Sequence, residues 1–254
     1  MLNIHLCDTI KRKVFLQTVI NLNLVLCGVV EAWVKNSQQV MDAEVFGTEW
    51  SWFGLDRKRR RGGGLGFVVK KSLKPRVMKV TQCNNLLWIE VDSGIKWYVA
   101  VVYLIPKDKW GTNEVTISEL QRTLVDFTGK GKVVVMGDFN ARVGELSNSL
   151  NSNVDTEDTV IIPRSSEDKT VNGPGRGVLE SLNAVGLVLL NGVGERARFT
   201  SFQKIGNSLI DFIWIHSEEL RFVSRLEVVN EDKCRLSDHL FVVVTLLSLA
   251  KASK

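Results

Sequence analysis

Asp138 and Asn140 set the chemical question. They follow the apolar run Val133, Val134, Val135 and Met136, with Gly137 and Phe139 between them. A carboxylate can hold a cation or take a proton from water, and a carboxamide can donate to a phosphoryl oxygen. In an extended chain, residues two apart point the same way, so both groups would face one spot. That pairing suits a phosphate-handling site. Gly, Asp and Asn are also ordinary turn residues, so the same letters describe a turn after a core strand. The rest of the chain must decide between the two.

Other apolar runs end in, or are interrupted by, polar residues of this kind. Glu31 follows the run at 24–30, and Tyr103 closes the run at 97–103. Asp211 sits among Leu209, Ile210, Phe212, Ile213, Trp214 and Ile215, where an unpaired charge would be costly. Ser237-Asp238-His239 supplies a partner just ahead of the last apolar run. Of the three histidines, His5, His216 and His239, only His239 lies between a carboxylate and a core run. A His–Asp pair fixes the imidazole tautomer and stabilises the imidazolium. Such a cation can neutralise charge developing on phosphorus. Glu31 and Asp238 are hard oxygen ligands suited to Mg²⁺ with retained waters. Asp138 could align or deprotonate the attacking water, and Asn140 could hold the phosphate.

The elements that must position these residues alternate between strand and helix, with more strand than helix. Four unbroken apolar residues at 133–136 predict a strand buried on both faces. Strands are also expected at 24–30, 44–46, 50–53, 65–70, 86–91, 97–103, 187–190, 198–202, 208–215, 225–229 and 240–247, with a stub at 2–5. Asp92-Ser93-Gly94 reads as the turn of a hairpin. Helical spacing predicts helices over 9–22, with Ile10, Val14, Val19 and Leu22 as its apolar face, and over 113–127. Residues 144–177 read as a long loop ending in Gly173-Pro174-Gly175-Arg176-Gly177, which introduces a helix at 178–185. This order predicts an α/β sandwich of two packed mixed sheets flanked by helices. With no internal repeat or linker, one domain over 1–250 is expected.

Composition narrows the class. The chain has 254 residues, 44% hydrophobic and 24% charged, enough for one substantial core and unlike a disordered segment. The net charge of +5 leans towards a polyanionic partner. The run Arg57, Lys58, Arg59, Arg60, Arg61 before three glycines reads as a solvated loop, a nuclear-localisation-like patch or a phosphate-contacting loop. Four scattered cysteines suggest neither a zinc site nor a disulfide framework. No apolar stretch is long enough to span a membrane. The run at 22–30 comes too late for a signal peptide and is broken by Asn23 and Gly28. A nuclear or cytoplasmic protein, not a secreted one, is expected.

GDFN at 137–140, IDF at 210–212 and SDH at 237–239 resemble signature blocks of the endonuclease/exonuclease/phosphatase superfamily. LCGVVEAW at 26–33 is similar to its metal-binding Glu block, and Val101-Val102-Tyr103 to its Tyr block. Residues 63–70, and Gly186 to Asn191 followed by Phe199-Thr200-Ser201, resemble the endonuclease domains of non-LTR retrotransposons, which nick target DNA and leave a 3′-hydroxyl. The resemblance implies a DNase I-like four-layer α/β sandwich. It implies that Glu31 binds the catalytic Mg²⁺ (Mn²⁺ as a substitute) with Asp238 near it, and that Asp138 activates water. Asn140 and Asn3 would contact phosphate or hold neighbouring site residues. His239 with Asp211 would stabilise the transition state, and Tyr103 would face the phosphate. The first strand reads as shortened, with only Met1 and Leu2 ahead of Asn3.

The leading expectation is a Mg²⁺-dependent DNA endonuclease acting as a monomer, with no membrane or protein partner. The alternatives are a phosphatase or another phosphodiesterase on the same core, or an inactive retroelement fragment that at most binds nucleic acid.

Overall fold

The computed structural model describes residues 1–6, 9–34, 47–55, 63–78, 84–108, 111–151, 159–229 and 236–247. The strand expected at 44–46, the basic run at 57–61 and Cys7, Cys83 and Cys234 lie outside them.

Two large sheets form the centre. In the first, β1 (Leu2–Asn3), β2 (Leu26–Val30), β3 (Trp50–Leu55) and β4 (Leu65–Lys70) take the order β1-β2-β4-β3. Met1 and Val242 exchange two backbone hydrogen bonds, of 2.8 and 3.2 Å, which joins the last hairpin, β15 (Val223–Val228) and β16 (Val242–Leu246), to the β1 side. The second sheet contains β5 (Arg76–Met78), β6 (Leu86–Asp92), β7 (Lys96–Tyr103), β8 (Lys132–Asp138), β11 (Leu187–Leu189) and β14 (Asp211–His216). Their order is β11-β14-β8-β7-β6-β5, with β7 and β8 parallel and the other pairs antiparallel.

Strand alternation sorts the apolar side chains into three separate clusters, and three interfaces require four layers. Val133 and Val135 of β8 pack with Phe212 and Trp214 against Leu120, Leu124 and Phe127 of α2 (Thr112–Thr128) and Leu179 and Leu182 of α3 (Gly173–Asn183). Val134 and Met136 point the other way, into a layer shared with Val30, Leu65, Phe67 and Val69 of the first sheet. The far face of that sheet (Cys27, Val29, Trp52, Val68) is covered by Phe15, Leu16 and Val19 of α1 (Thr9–Asn21). The fold is a four-layer α/β sandwich, as the run pattern and the resemblance implied.

Several elements differ from the sequence expectation. The buried face of α1 is Phe15, Leu16 and Val19, while Ile10 is 76% exposed and Val14 also faces out. Apolar residues lie around much of this helix, so spacing alone does not single out a face. The loop expected at 144–177 contains a hairpin, β9 (Asn148–Asn151) with β10 (Thr159–Ile162), and α3 starts at Gly173. Asn172 caps α3 by accepting from the Gly175 amide at 2.8 Å, and Pro174 sits in the first turn, where a missing N–H costs nothing. The glycine-rich run therefore lies in the first turn of this helix. A further hairpin, β12 (Ser201–Gln203) with β13 (Gly206–Ser208), stands where one strand and the start of another were expected. The Asp92-Ser93-Gly94 turn forms as read: Gly94 adopts φ 90° and its amide donates to Asp92 Oδ1 at 2.8 Å.

Candidate active site

Register builds the site. Tyr103 on β7 pairs with Asp138 on β8, and Asp138 pairs with Asp211 on β14. These three residues form one row across adjacent strands. Asp138 shares its face with Val134 and Met136, so it points between the two sheets. Asn3 has the parity of Met1, which is buried in the same layer, and enters from the opposite sheet. The side chains converge between the two sheets.

Asp138 is almost fully buried. Asn3 Nδ2 donates to its Oδ2 at 3.0 Å, and the Asn140 amide donates to its Oδ1 at 3.0 Å. Asn140 reaches Asp138 through this local turn bond and not through strand alternation: the strand ends at Asp138, and Asn140 has φ 46°. The Asn140 side chain donates to the Leu104 carbonyl at 2.8 Å, using one of its two amide protons.

His239 lies just before β16. Its Nδ1 sits 2.8 Å from Asp211 Oδ2, and both side chains are buried. Burial opposes the charged imidazole, but Asp211, with Asp138 behind it, outweighs burial and lifts the His239 pKa to about 9. His239 therefore keeps its proton near neutral pH, held against Asp211. Asp138 is pushed up to about 7, first by burial and then by Asp211, against the opposing pull of His239, the Asn140 amide and Asn3. A carboxyl poised near 7 is suited to trading a proton with water.

Glu31 follows β2 and is partly exposed. The Tyr103 hydroxyl donates to its Oε1 at 2.6 Å. Burial, then this bond to Glu31, raises the Tyr103 pKa, so Tyr103 stays a donor. Asp238 is exposed and accepts from the Ser237 hydroxyl at 3.3 Å. Among the described residues, six non-glycine residues adopt positive φ, and Glu31, Trp33 and Asn140 are three of them. Such backbone costs of the order of 1 to 3 kcal/mol each and collects where function holds it.

Among the described residues, two donor sets compete as a cation centre. Asp138, Asp211 and His239 place ligand atoms within 4.8 Å of one another. There, however, His239 Nδ1 is spent on Asp211. A cation would have to expel the imidazole proton. Glu31 fits better: a hard carboxylate, held by one O–H donor and open to solvent on part of its surface, suits a Mg²⁺-type ion that keeps waters.

Four contributors were not assigned roles from sequence. Asn191 follows β11, and its side chain donates to the Asp211 carbonyl at 3.2 Å and accepts from the Ile213 amide at 2.9 Å. It closes an apolar run as Glu31 does, so the same signal would have found it. Thr200 Oγ1 accepts from the Ile210 and Asp211 amides at 3.3 and 3.2 Å. Ser201 Oγ stands 3.4 Å from His239 Nε2. Asp168 accepts from Arg142 Nε at 2.8 Å and from the Leu209 amide at 3.0 Å, which braces the approach to β14. The last three contacts are long-range and leave no local pattern.

These carboxylates, amides and the His–Asp pair lie between the two sheets of a four-layer sandwich, the fold of the endonuclease/exonuclease/phosphatase superfamily. A family model described as endonuclease-reverse transcriptase matches residues 97–243, more than half of the chain, and the chain belongs to this family. The endonuclease domain of TRAS1, a telomere-specific non-LTR retrotransposon, superposes with a TM-score of 0.69 at 15% identity, covering 98% of this chain and 97% of that one. The 3′ phosphatase NExo from Neisseria, bound to product DNA hairpin, gives 0.69 at 16%, covering 97% and 98%. AP endonuclease LMAP from Leishmania major gives 0.70 at 11%, covering 97% and 86%. At these identities the likeness is one of fold. No curated protein sequence matches the chain.

Proposed function

We propose that this chain is a divalent-cation-dependent endonuclease that hydrolyses DNA phosphodiester bonds and leaves a 3′-hydroxyl, as in retrotransposon target nicking. The observation that carries it is the buried row of Asp138 and Asp211 with His239 against it, set beside Glu31–Tyr103 and Asn3. Asp138 takes the proton from the attacking water, and its pKa near 7 matches that task. His239 keeps its proton through Asp211 and offers positive charge to the phosphoryl oxygens. Asn3 and Asn140 hold Asp138 in place. Glu31, oriented by Tyr103, and Asp238 would hold Mg²⁺ or Mn²⁺, which supplies Lewis-acid stabilisation of phosphoryl charge. The +5 net charge supports a DNA partner. Residues 1–250 act as one domain, in a monomer of the nucleus or cytosol.

The test is Mg²⁺-dependent nicking of supercoiled plasmid and of abasic-site duplex by the chain beside Asp138→Ala and His239→Ala. DNA binding should hold in both variants while cleavage falls about 10²- to 10⁴-fold. Equal cleavage by all three proteins would refute the site. Release of phosphate from a 3′-phosphorylated or small ester, without nicking, would move the assignment to a phosphatase of the same superfamily. Binding without any turnover would leave an inactive nucleic-acid binder.

A further inference from the structure

We propose that His5 is a nitrogen ligand to the cation held at Glu31, and that it turns this site from Mg²⁺ towards Mn²⁺ and later first-row divalent ions. The proposal rests on the assignment of Glu31 as a cation ligand.

Backbone pairing places His5. Past β1 the chain keeps bonding along β2 and beyond it, from the Ile4 amide to the Val30 carbonyl at 3.1 Å and from the Leu6 amide to the Ala32 carbonyl at 2.9 Å. His5 is thereby set beside Glu31, with the parity of Asn3. Its Nε2 lies 3.8 Å from Glu31 Oε2. That is too long for a hydrogen bond, which for N–H···O runs to about 3.2 Å. It fits two donors on one ion: with metal–ligand bonds near 2.1 Å, such donors stand roughly 3 to 4 Å apart.

The ring is held in that pose. His5 stacks on Trp33 with centroids 4.2 Å apart and planes 27° from parallel. Trp33 is anchored through its amide to the Gly63 carbonyl at 3.1 Å. Its own backbone has φ 54°, so the platform is fixed at some conformational cost. The other Glu31 oxygen is spoken for by Tyr103, which leaves Oε2 as the one turned to His5.

The chemistry sets the preference. Carboxylate and water suit Mg²⁺ and Mn²⁺ alike, whereas an imidazole nitrogen adds little for Mg²⁺ and gains weight along the first-row series from Mn²⁺ upward. The plain rival is a solvent-exposed His–Glu ion pair, which would do almost nothing.

The experiment titrates the full chain with Mn²⁺, followed by the free-ion electron paramagnetic resonance signal, and reads ¹⁴N coupling in the bound ion by pulsed methods. His5→Ala, His5→Asn and Glu31→Gln are compared, with Mg²⁺ affinity taken by competition. The chain should show ¹⁴N coupling that His5→Ala abolishes. His5→Ala and His5→Asn should weaken Mn²⁺ about tenfold or more and Mg²⁺ much less, since losing a ligand costs at least what a supporting group does. The His5 side chain is 41% exposed, so thermal midpoints should hold. Unchanged Mn²⁺ affinity and coupling in both His5 variants, with binding lost in Glu31→Gln, would overturn the His5 assignment and spare that of Glu31. Mn²⁺ binding indifferent to Glu31→Gln would overturn the Glu31 assignment itself.

Discussion

Asp138 and Asp211 are direct cross-strand partners on β8 and β14, two buried carboxylates in one row of the sheet. Like charges so placed repel, and they coexist because His239 sits against Asp211 and lends its proton to the cluster. Asp211 Oδ1 is buried without a hydrogen-bond partner among the described residues, so compensation at that carboxylate falls heavily on His239. Removing His239 should therefore cost more than one hydrogen bond. His239→Ala is expected to lower stability by about 3 to 5 kcal/mol, the usual result of stranding one member of a buried ion pair. Adding Asp211→Asn should restore much of that loss, because the stranded charge goes too. Urea unfolding of the two single variants and the double variant checks this. Strictly additive losses would show that the pair is not coupled.

The raised pKa values fix the sign of the pH dependence. Both His239, at about 9 against an ordinary 6.5, and Asp138, at about 7 against 3.8, bind protons more tightly folded than unfolded. Each contributes stability that is present below its unfolded pKa and lost as pH rises through its folded pKa. Stability should thus decline from about pH 4 to 7 through Asp138 and again from 6.5 to 9 through His239. Urea midpoints measured across that range should fall, and His239→Gln should flatten the upper part. Cleavage needs Asp138 ionised and His239 protonated, so its pH profile should rise near 7 and fall near 9. A profile that keeps its alkaline limb in His239→Gln would assign that limb to another group.

Much of this arrangement is written locally in the sequence. The unbroken apolar run before Gly137 foretells β8, and a polar residue closing or interrupting an apolar run foretells Glu31, Tyr103, Asp138 and Asp211. The structure brings Asp211 and His239 together, as the cost of an unpaired charge in an apolar run requires. What could not be read depends on long-range packing. Thr200 reaches Asp211 because the β12–β13 hairpin turns the chain back, and Ser201 reaches His239 because β12 lies beside the Ser237–His239 segment. The buried face of α1 is chosen by the sheet it covers, not by a spacing of its own. β9 carries Asn and Ser where strands favour branched residues, so its letters read as loop, whereas β10 is a short branched run, Thr159 to Ile162, whose strand signal is set within a polar stretch.

Tyr103 tests the link between cation and scaffold. Its hydroxyl is the hydrogen-bond donor seen on Glu31, at 2.6 Å. Tyr103→Phe keeps the ring in the layer between the sheets and removes that donor alone. Divalent-ion affinity should fall about 10- to 100-fold, as when a supporting group behind a metal ligand is lost. Stability should change by about 1 kcal/mol or less, since a half-buried hydrogen bond is worth little net. Calorimetric titration with Mn²⁺ measures the first and thermal unfolding the second. A large loss of stability with unchanged ion affinity would make Tyr103 a structural residue.

Gly137 sets how closely β7 and β8 can approach at the site. A Cβ built there would stand 2.1 Å from the Val102 carbonyl oxygen, which is backbone and cannot swing aside. Gly137→Ala must therefore push the two strands apart or twist β8 at its last residues. Asp138 is the next residue and would move with it, away from Asn3 and out of its row with Asp211. An ångström of misplacement at a reacting group costs on the order of 10²-fold in rate. Gly137→Ala is thus expected to cut cleavage by about 10²-fold and to destabilise by a few kcal/mol through strain and lost strand bonds. Ser72→Ala, on an exposed short helical turn far from this row in sequence, is the control and should leave both unchanged. Single-turnover cleavage at saturating DNA, with folding checked by circular dichroism, separates the two effects. If Gly137→Ala cleaves like the unaltered chain, the close approach of β7 and β8 is not what positions Asp138.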